Sequence, residues 1–149
     1  MKKVILIVLS LILAIGLGLG IFAFVTWQRA DETLVPRVTV QAFGQTLEPV
    51  AYEWGAPLLG GLMTKHFEGT TEAATRDLGE IQLPESNFGF PAGYLASLNL
   101  TRDGEPAYNG TVEAWSDTLA AQPGAYRLEI TCEKVRDAAD KRGTGSFNY

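Results

Sequence analysis

The stretch Val4–Val25, VILIVLSLILAIGLGLGIFAFV, contains no charged residue, and Thr26 and Trp27 follow it. At about 1.5 Å per residue, 22 helical residues span roughly 33 Å, enough for a hydrocarbon core of about 30 Å. The flanks fit a membrane crossing. Lys2 and Lys3 precede the stretch, Trp27 falls at headgroup level, and Arg29-Ala30-Asp31-Glu32 leads away. The excess of lysine on the N-terminal side predicts that Lys2 and Lys3 stay in the cytoplasm and that the rest of the chain crosses. The competing reading is a cleaved secretory signal, whose apolar core runs to about 7–15 residues and ends in a small-x-small site. The core here is longer, and Ala23-Phe24-Val25-Thr26-Trp27-Gln28 offers no Ala-x-Ala. A lipoprotein signal needs a cysteine at that point, and the single cysteine is Cys132. An uncleaved anchor is therefore expected, with residues 1–27 as cytoplasmic tip and span.

Gly16 and Gly20 stand at GxxxG spacing within the span, a pattern that lets two membrane helices approach closely. It offers a homodimer face. The competing reading is that glycine is common in membrane helices. The run Gly18-Leu19-Gly20-Ile21-Phe22-Ala23 also matches a dinucleotide fingerprint, but no strand precedes it and no nucleotide binds in lipid.

Beyond the span, Gln28–Pro36 reads as a linker and residues 37–149 as one extracytoplasmic domain, large enough for a modest core. Lys2 and Lys3 are two of the 12 basic residues, so the remaining 10 face 17 acidic ones, a net charge of −7. Such a surface is repelled by nucleic acid phosphates and by anionic lipid, and no nucleic acid partner is expected. One cysteine excludes an internal disulfide framework.

Alternation of apolar residues predicts strands over 37–43, 46–54, 94–101, 126–135 and 144–149, with shorter ones at 80–83, 111–115 and 118–120. Gly44-Gln45, Asp103-Gly104, Asn109-Gly110 and Pro123-Gly124 are the expected turns. Pro49 interrupts the second strand. The glycine-rich run Gly55–Gly69 reads as a loop packing Leu58, Leu59, Leu62 and Met63 onto the domain, or as an exposed patch that meets the membrane or a partner. Thr70–Leu78 is the one helical candidate outside the span. Strands spaced by about 8–12 residues point to an antiparallel β-sandwich with at most one short helix.

The run Pro123–Cys132 (PGAYRLEITC), a charged turn and then Gly143–Tyr149 (GTGSFNY) resembles the last two strands of an immunoglobulin-like domain. The cysteine pair and intervening tryptophan of antibody-type domains are not matched. Leu47–Leu62 (LEPVAYEWGAPLLGGL) resembles stretches in the membrane-anchored N-terminal regions of Gram-positive cell-envelope proteins, several of which end in lysostaphin-type zinc metallopeptidase domains. The resemblance covers Pro36 to Tyr149. It implies an envelope context and no activity, because that peptidase site needs a His-x-x-x-Asp and a His-x-His, and the chain has only His66.

No chemistry-bearing pattern survives inspection. One histidine with scattered carboxylates falls short of the three protein ligands of a catalytic zinc site. No GxSxG elbow is present, and Cys132 reads as a buried, inert thiol. Leu83-Pro84-Glu85-Ser86-Asn87 departs from the sortase signal. No cofactor or metal site is expected. Tyr52, Trp54 and Trp115 are the candidate ligand-stacking aromatics, weighed against filling the core. The chain thus reads as a non-catalytic, single-pass membrane module at a bacterial cell envelope, with a cell-wall polymer or an envelope protein as partner. The alternative is the anchor and spacer of a cell-wall hydrolase whose catalytic domain lies elsewhere; Tyr149, falling inside a strand pattern, fits a chain that continues.

Overall fold

The computed structural model describes residues 2–71, 77, 79–80, 88–114, 122–135 and 143–149. Among these residues a helix, α1 (Lys2–Arg29), precedes eight strands: β1 (Val40–Ala42), β2 (Gln45–Leu47), β3 (Ala51–Leu58), β4 (Met63–Thr70), β5 (Leu95–Arg102), β6 (Glu105–Thr111), β7 (Tyr126–Lys134) and β8 (Thr144–Asn148). α1 is long and apolar enough to cross a membrane, with a mean hydropathy of 3.0 in its most apolar window and none of that window buried. Its two hydroxyls are satisfied within the helix: Ser10 Oγ donates to the Leu6 carbonyl and Thr26 Oγ1 to that of Phe22, each at 2.8 Å. A polar side chain bonded to its own backbone is one that hydrocarbon tolerates.

All strand pairs are antiparallel. β3 to β8 form one sheet in the order β4-β3-β8-β7-β5-β6, and β1 and β2 form a separate hairpin. The sheet has one buried and one wet face, as the period of two requires. Trp54 and Ala56 of β3, Leu98 and Leu100 of β5, Tyr108 of β6, Ile130 and Cys132 of β7 and Phe147 of β8 line the buried face. The register stacks them directly, with Leu98 opposite Ile130, Leu100 opposite Leu128 and Cys132 opposite Phe147. Val38, Val40 and Ala42 join the same cluster from the hairpin side. Gln41 and Gly89 exchange backbone hydrogen bonds beside them.

Two hairpins turn on pairs of residues with positive φ, the geometry that matches strand twist. Asp103-Gly104 joins β5 to β6 as expected. The β1–β2 turn is Phe43-Gly44, one residue earlier than Gly44-Gln45. Pro49 separates β2 from β3, so the single strand expected over 46–54 is two. Asn109-Gly110 is no turn; it lies inside β6, where the Tyr108 ring folds over Gly110. Thr111 ends β6, and a 3-10 turn over Val112–Ala114 replaces the strand expected there.

The largest departure is Gly55–Gly69. It holds the end of β3, a 3-10 turn (Leu59–Gly61) and all of β4 but Thr70. Gly55 is a tight spot: a Cβ there would meet Thr64 Cγ2 at 3.2 Å. Pro57 is tolerated because β8 reaches only as far as Gly55, so β3 is paired on one side alone beyond it. Leu58 is buried, whereas Leu62 at the turn is 86 % exposed. The helix expected over 70–78 and the strands over 80–83 and 118–120 fall wholly or largely outside the described residues; Thr70 itself closes β4.

Candidate functional site at the helix–sheet junction

Lys65 sits on β4 between Met63 and Phe67, on the inward-facing side of an edge strand. Its Nζ donates to the carbonyl of Trp27 at 3.0 Å and to that of Ala30 at 2.7 Å. The same ammonium lies 5.7 Å from the centroid of the Trp27 ring and 5.5 Å from that of Phe67. Carbonyls at a helix C-terminus lack intrahelical donors and carry the negative end of the dipole, so a lysine is the complementary group there. Arg29 adds a second cation in the last turn. Along α1, the partly covered residues are Ala23, Thr26 and Trp27, with Ala30 just beyond, a spacing that follows one helix face.

The chain leaves this joint through a capped turn. Asp31 accepts from the Thr33 hydroxyl and, at 3.1 Å, from the Thr33 amide. These bonds hold its carboxyl below the ordinary value. A 3-10 turn over Glu32–Leu34 follows, then an extended run to Val38, whose carbonyl accepts from the Tyr149 hydroxyl at 3.0 Å. Burial pushes the Tyr149 phenol well above its usual range, with Cys132 and Tyr94 adding to it.

The other expected site residues are placed as follows. Val4, Gly16, Gly20 and Val25 lie in α1, and Trp27 stands at its joint with the sheet. Gly16 and Gly20 line a shallow apolar groove along α1 with Ile12. Trp54 is 2 % exposed, its ring 5.7 Å from that of Phe147, so it fills the core; its Nε1 has no partner among the described residues. Tyr52 is half-buried, stacked on Phe147 at 6.1 Å, and burial raises its phenol, with Glu32 adding to it. Trp115 lies outside the described residues. Tyr52 and Trp54 thus share a face as expected, and that face is the inside of the domain.

His66 projects from the wet face of β4, exposed and opposite Gly55. Among the described residues no three of His, Cys, Asp and Glu gather as a metal site. The Cys132 thiol is fully buried, and burial pushes it up to about 11, the opposite of what an activated nucleophile needs. Lys65 is the residue of this joint that sequence reasoning passed over. The signal for it was present: in Met63-Thr-Lys-His-Phe67 the lysine occupies an inward position of an alternating pattern, and an inward charge needs a partner.

No family model matches the chain, and no curated protein or solved structure matches it.

Proposed function

We propose that this chain is a single-pass membrane protein whose β domain stands on the extracytoplasmic side of a bacterial cell envelope, in a structural or ligand-binding rather than catalytic role. One observation carries the membrane part. α1 leaves Val4 to Phe22 exposed, and the joint at Lys65 holds only its C-terminal end, so this apolar stretch is left for lipid to cover. The N-in orientation rests on Lys2 and Lys3. The envelope context rests on the resemblance of Leu47–Leu62, and the non-catalytic reading on the sequence, with its single histidine and no GxSxG elbow. The finer fold reading is an immunoglobulin-like sandwich. Antiparallel pairing throughout and a second layer over the buried face support it, but the strands divide six to two, so the sandwich proposed is a lopsided one. The partner classes are a cell-wall polymer or an envelope protein, and a second copy through Gly16 and Gly20.

Alkaline carbonate washing of membranes tests the reading. The full-length chain stays in the pellet; its release into the wash would contradict a spanning helix.

A further inference from the structure

Outside α1, four large apolar side chains of the described residues are conspicuously exposed: Leu34 at 41 %, Leu62 at 86 %, Leu95 at 67 % and Val135 at 55 %. Scattered single cases are ordinary on any protein surface. These are not scattered. Leu62 closes the turn between β3 and β4, and Leu95 opens β5. Leu95 pairs with Glu133 of β7, and Val135 lies two residues past that pair. Next to it, Lys134 pairs with Gly145, at the start of β8, whose Thr144 pairs with Gly55 near the end of β3. Three of the four therefore share one end of the six-stranded sheet.

That end is the one nearest α1. Lys65 grips the Trp27 and Ala30 carbonyls and stands only three residues, about 10 Å of strand, from Leu62. From Ala30 the chain runs to Val38, beside Tyr149 and the Ala51 end of β3, which is away from Leu62. Leu34 lies in the turn just past the helix. The segment Leu58–Met63 (LLGGLM) has no charge. The opposite end of the sheet is polar, with Asp103, Glu105 and Gln122 exposed.

We propose that this end of the sheet rests on the bilayer that α1 crosses, with Leu62, Leu95 and Val135 entering the boundary between headgroups and acyl chains. The inference rests on α1 being a span. The partner is the lipid surface itself, and the attraction is apolar, since the domain's net negative charge is no match for anionic headgroups. Glu133, opposite Leu95, sets the depth: a carboxylate stays at headgroup level, so the contact is shallow. The domain then has two attachments, the helix and its own lower edge, and stands at a fixed height with its polar end outward.

The full-length chain reconstituted in phosphatidylcholine liposomes provides the test. Single cysteines replace Leu62, Glu105 or Leu13 and carry an environment-sensitive fluorophore; buried Cys132 stays unlabelled. Nitroxide on the acyl chains quenches the Leu62 probe, and iodide quenches it with a slope several-fold below that at Glu105. A Val135→Cys label, read in the same way, guards against a local effect of the Leu62 substitution. Equal iodide slopes at Leu62 and Glu105, with the Leu13 probe still quenched from the lipid, would overturn the contact and leave the span standing. Iodide reaching Leu13 would overturn both.

Discussion

Gly145 lies beneath Trp54, and a Cβ there would collide with the Glu53 carbonyl oxygen and come within 2.8 Å of the indole ring. Neither neighbour can yield, because one is sheet backbone and the other is the largest buried side chain among the described residues. Gly145→Ala should therefore lower stability by about 3 kcal/mol, the upper part of the usual range for overpacking, or prevent accumulation. Gly110→Ala meets only the Tyr108 side chain and no backbone, and should cost about 1 kcal/mol, by the milder outcome of the same effect. Urea midpoints of the two variants in detergent check the order. Cys132 supplies a second residue-scale expectation. Its thiol is neutral in the folded chain up to about pH 11, whereas an unfolded thiol ionises near pH 8.5. The unfolded state then holds fewer protons, so stability is flat below about pH 8.5 and falls above it. The raised Tyr149 phenol steepens the fall from about pH 10. Midpoints taken between pH 8 and pH 11 should drop, less so in Cys132→Val, and a thiol reagent at pH 8 should label the native chain only after denaturation. That Cys132 is an inert core thiol was legible in the alternation of 126–132. The room that Gly143 and Gly145 make for Trp54 was not, because a glycine's use is defined by what lies across from it.

The elements show which local signals decide structure and which yield to their surroundings. Asp103-Gly104 makes a turn because it stands between two strands of matched alternation; Asn109-Gly110 carries an equally strong signal and is overruled because Tyr108 and Leu100 must pair in the core. β4 hid behind glycines and an inward lysine, each reducing its apparent strand character. The lysine is there for α1. Lys65→Met keeps the stem and removes both bonds to the helix end, worth about 1 kcal/mol at a half-exposed terminus. Spin labels at Arg29 and Glu105 should report it: one narrow distance distribution in the parent chain, a broad one in Lys65→Met, with the urea midpoint of the sheet nearly unchanged. An equally narrow distribution in the variant would show that the joint does not orient the domain. Leu59 also leaves the ordinary regions, with φ 50 in the β3–β4 turn, a strained conformation for a leucine. Leu59→Asn should relieve it and stabilise by about 0.5–1 kcal/mol, since asparagine tolerates left-handed backbone best after glycine.

At the scale of the whole molecule the helix was the plainest feature of the sequence, since 22 uncharged residues admit few other readings, while the strand order was hidden, because it depends on pairings between residues nearly 100 positions apart. Protease added to intact cells should digest the β domain and leave a membrane-protected N-terminal fragment; protection of the domain in cells and digestion in inverted vesicles would reverse the proposed orientation. One feature of the sheet bears on how such a chain is made. β8 lies between β3 and β7, and those two strands meet nowhere else. Until residues 144–148 arrive, β3–β4 and β5–β6–β7 are two fragments of the sheet with open edges. Among the described residues the sheet is therefore closed by β8, which follows its other five strands in the chain. If the domain is exported through a narrow channel, as the proposed orientation requires, it must remain unfolded on the way, and a sheet whose two parts are joined through β8 suits that passage. Deletion of residues 144–149 should leave a chain that reaches the membrane and shows no cooperative unfolding transition.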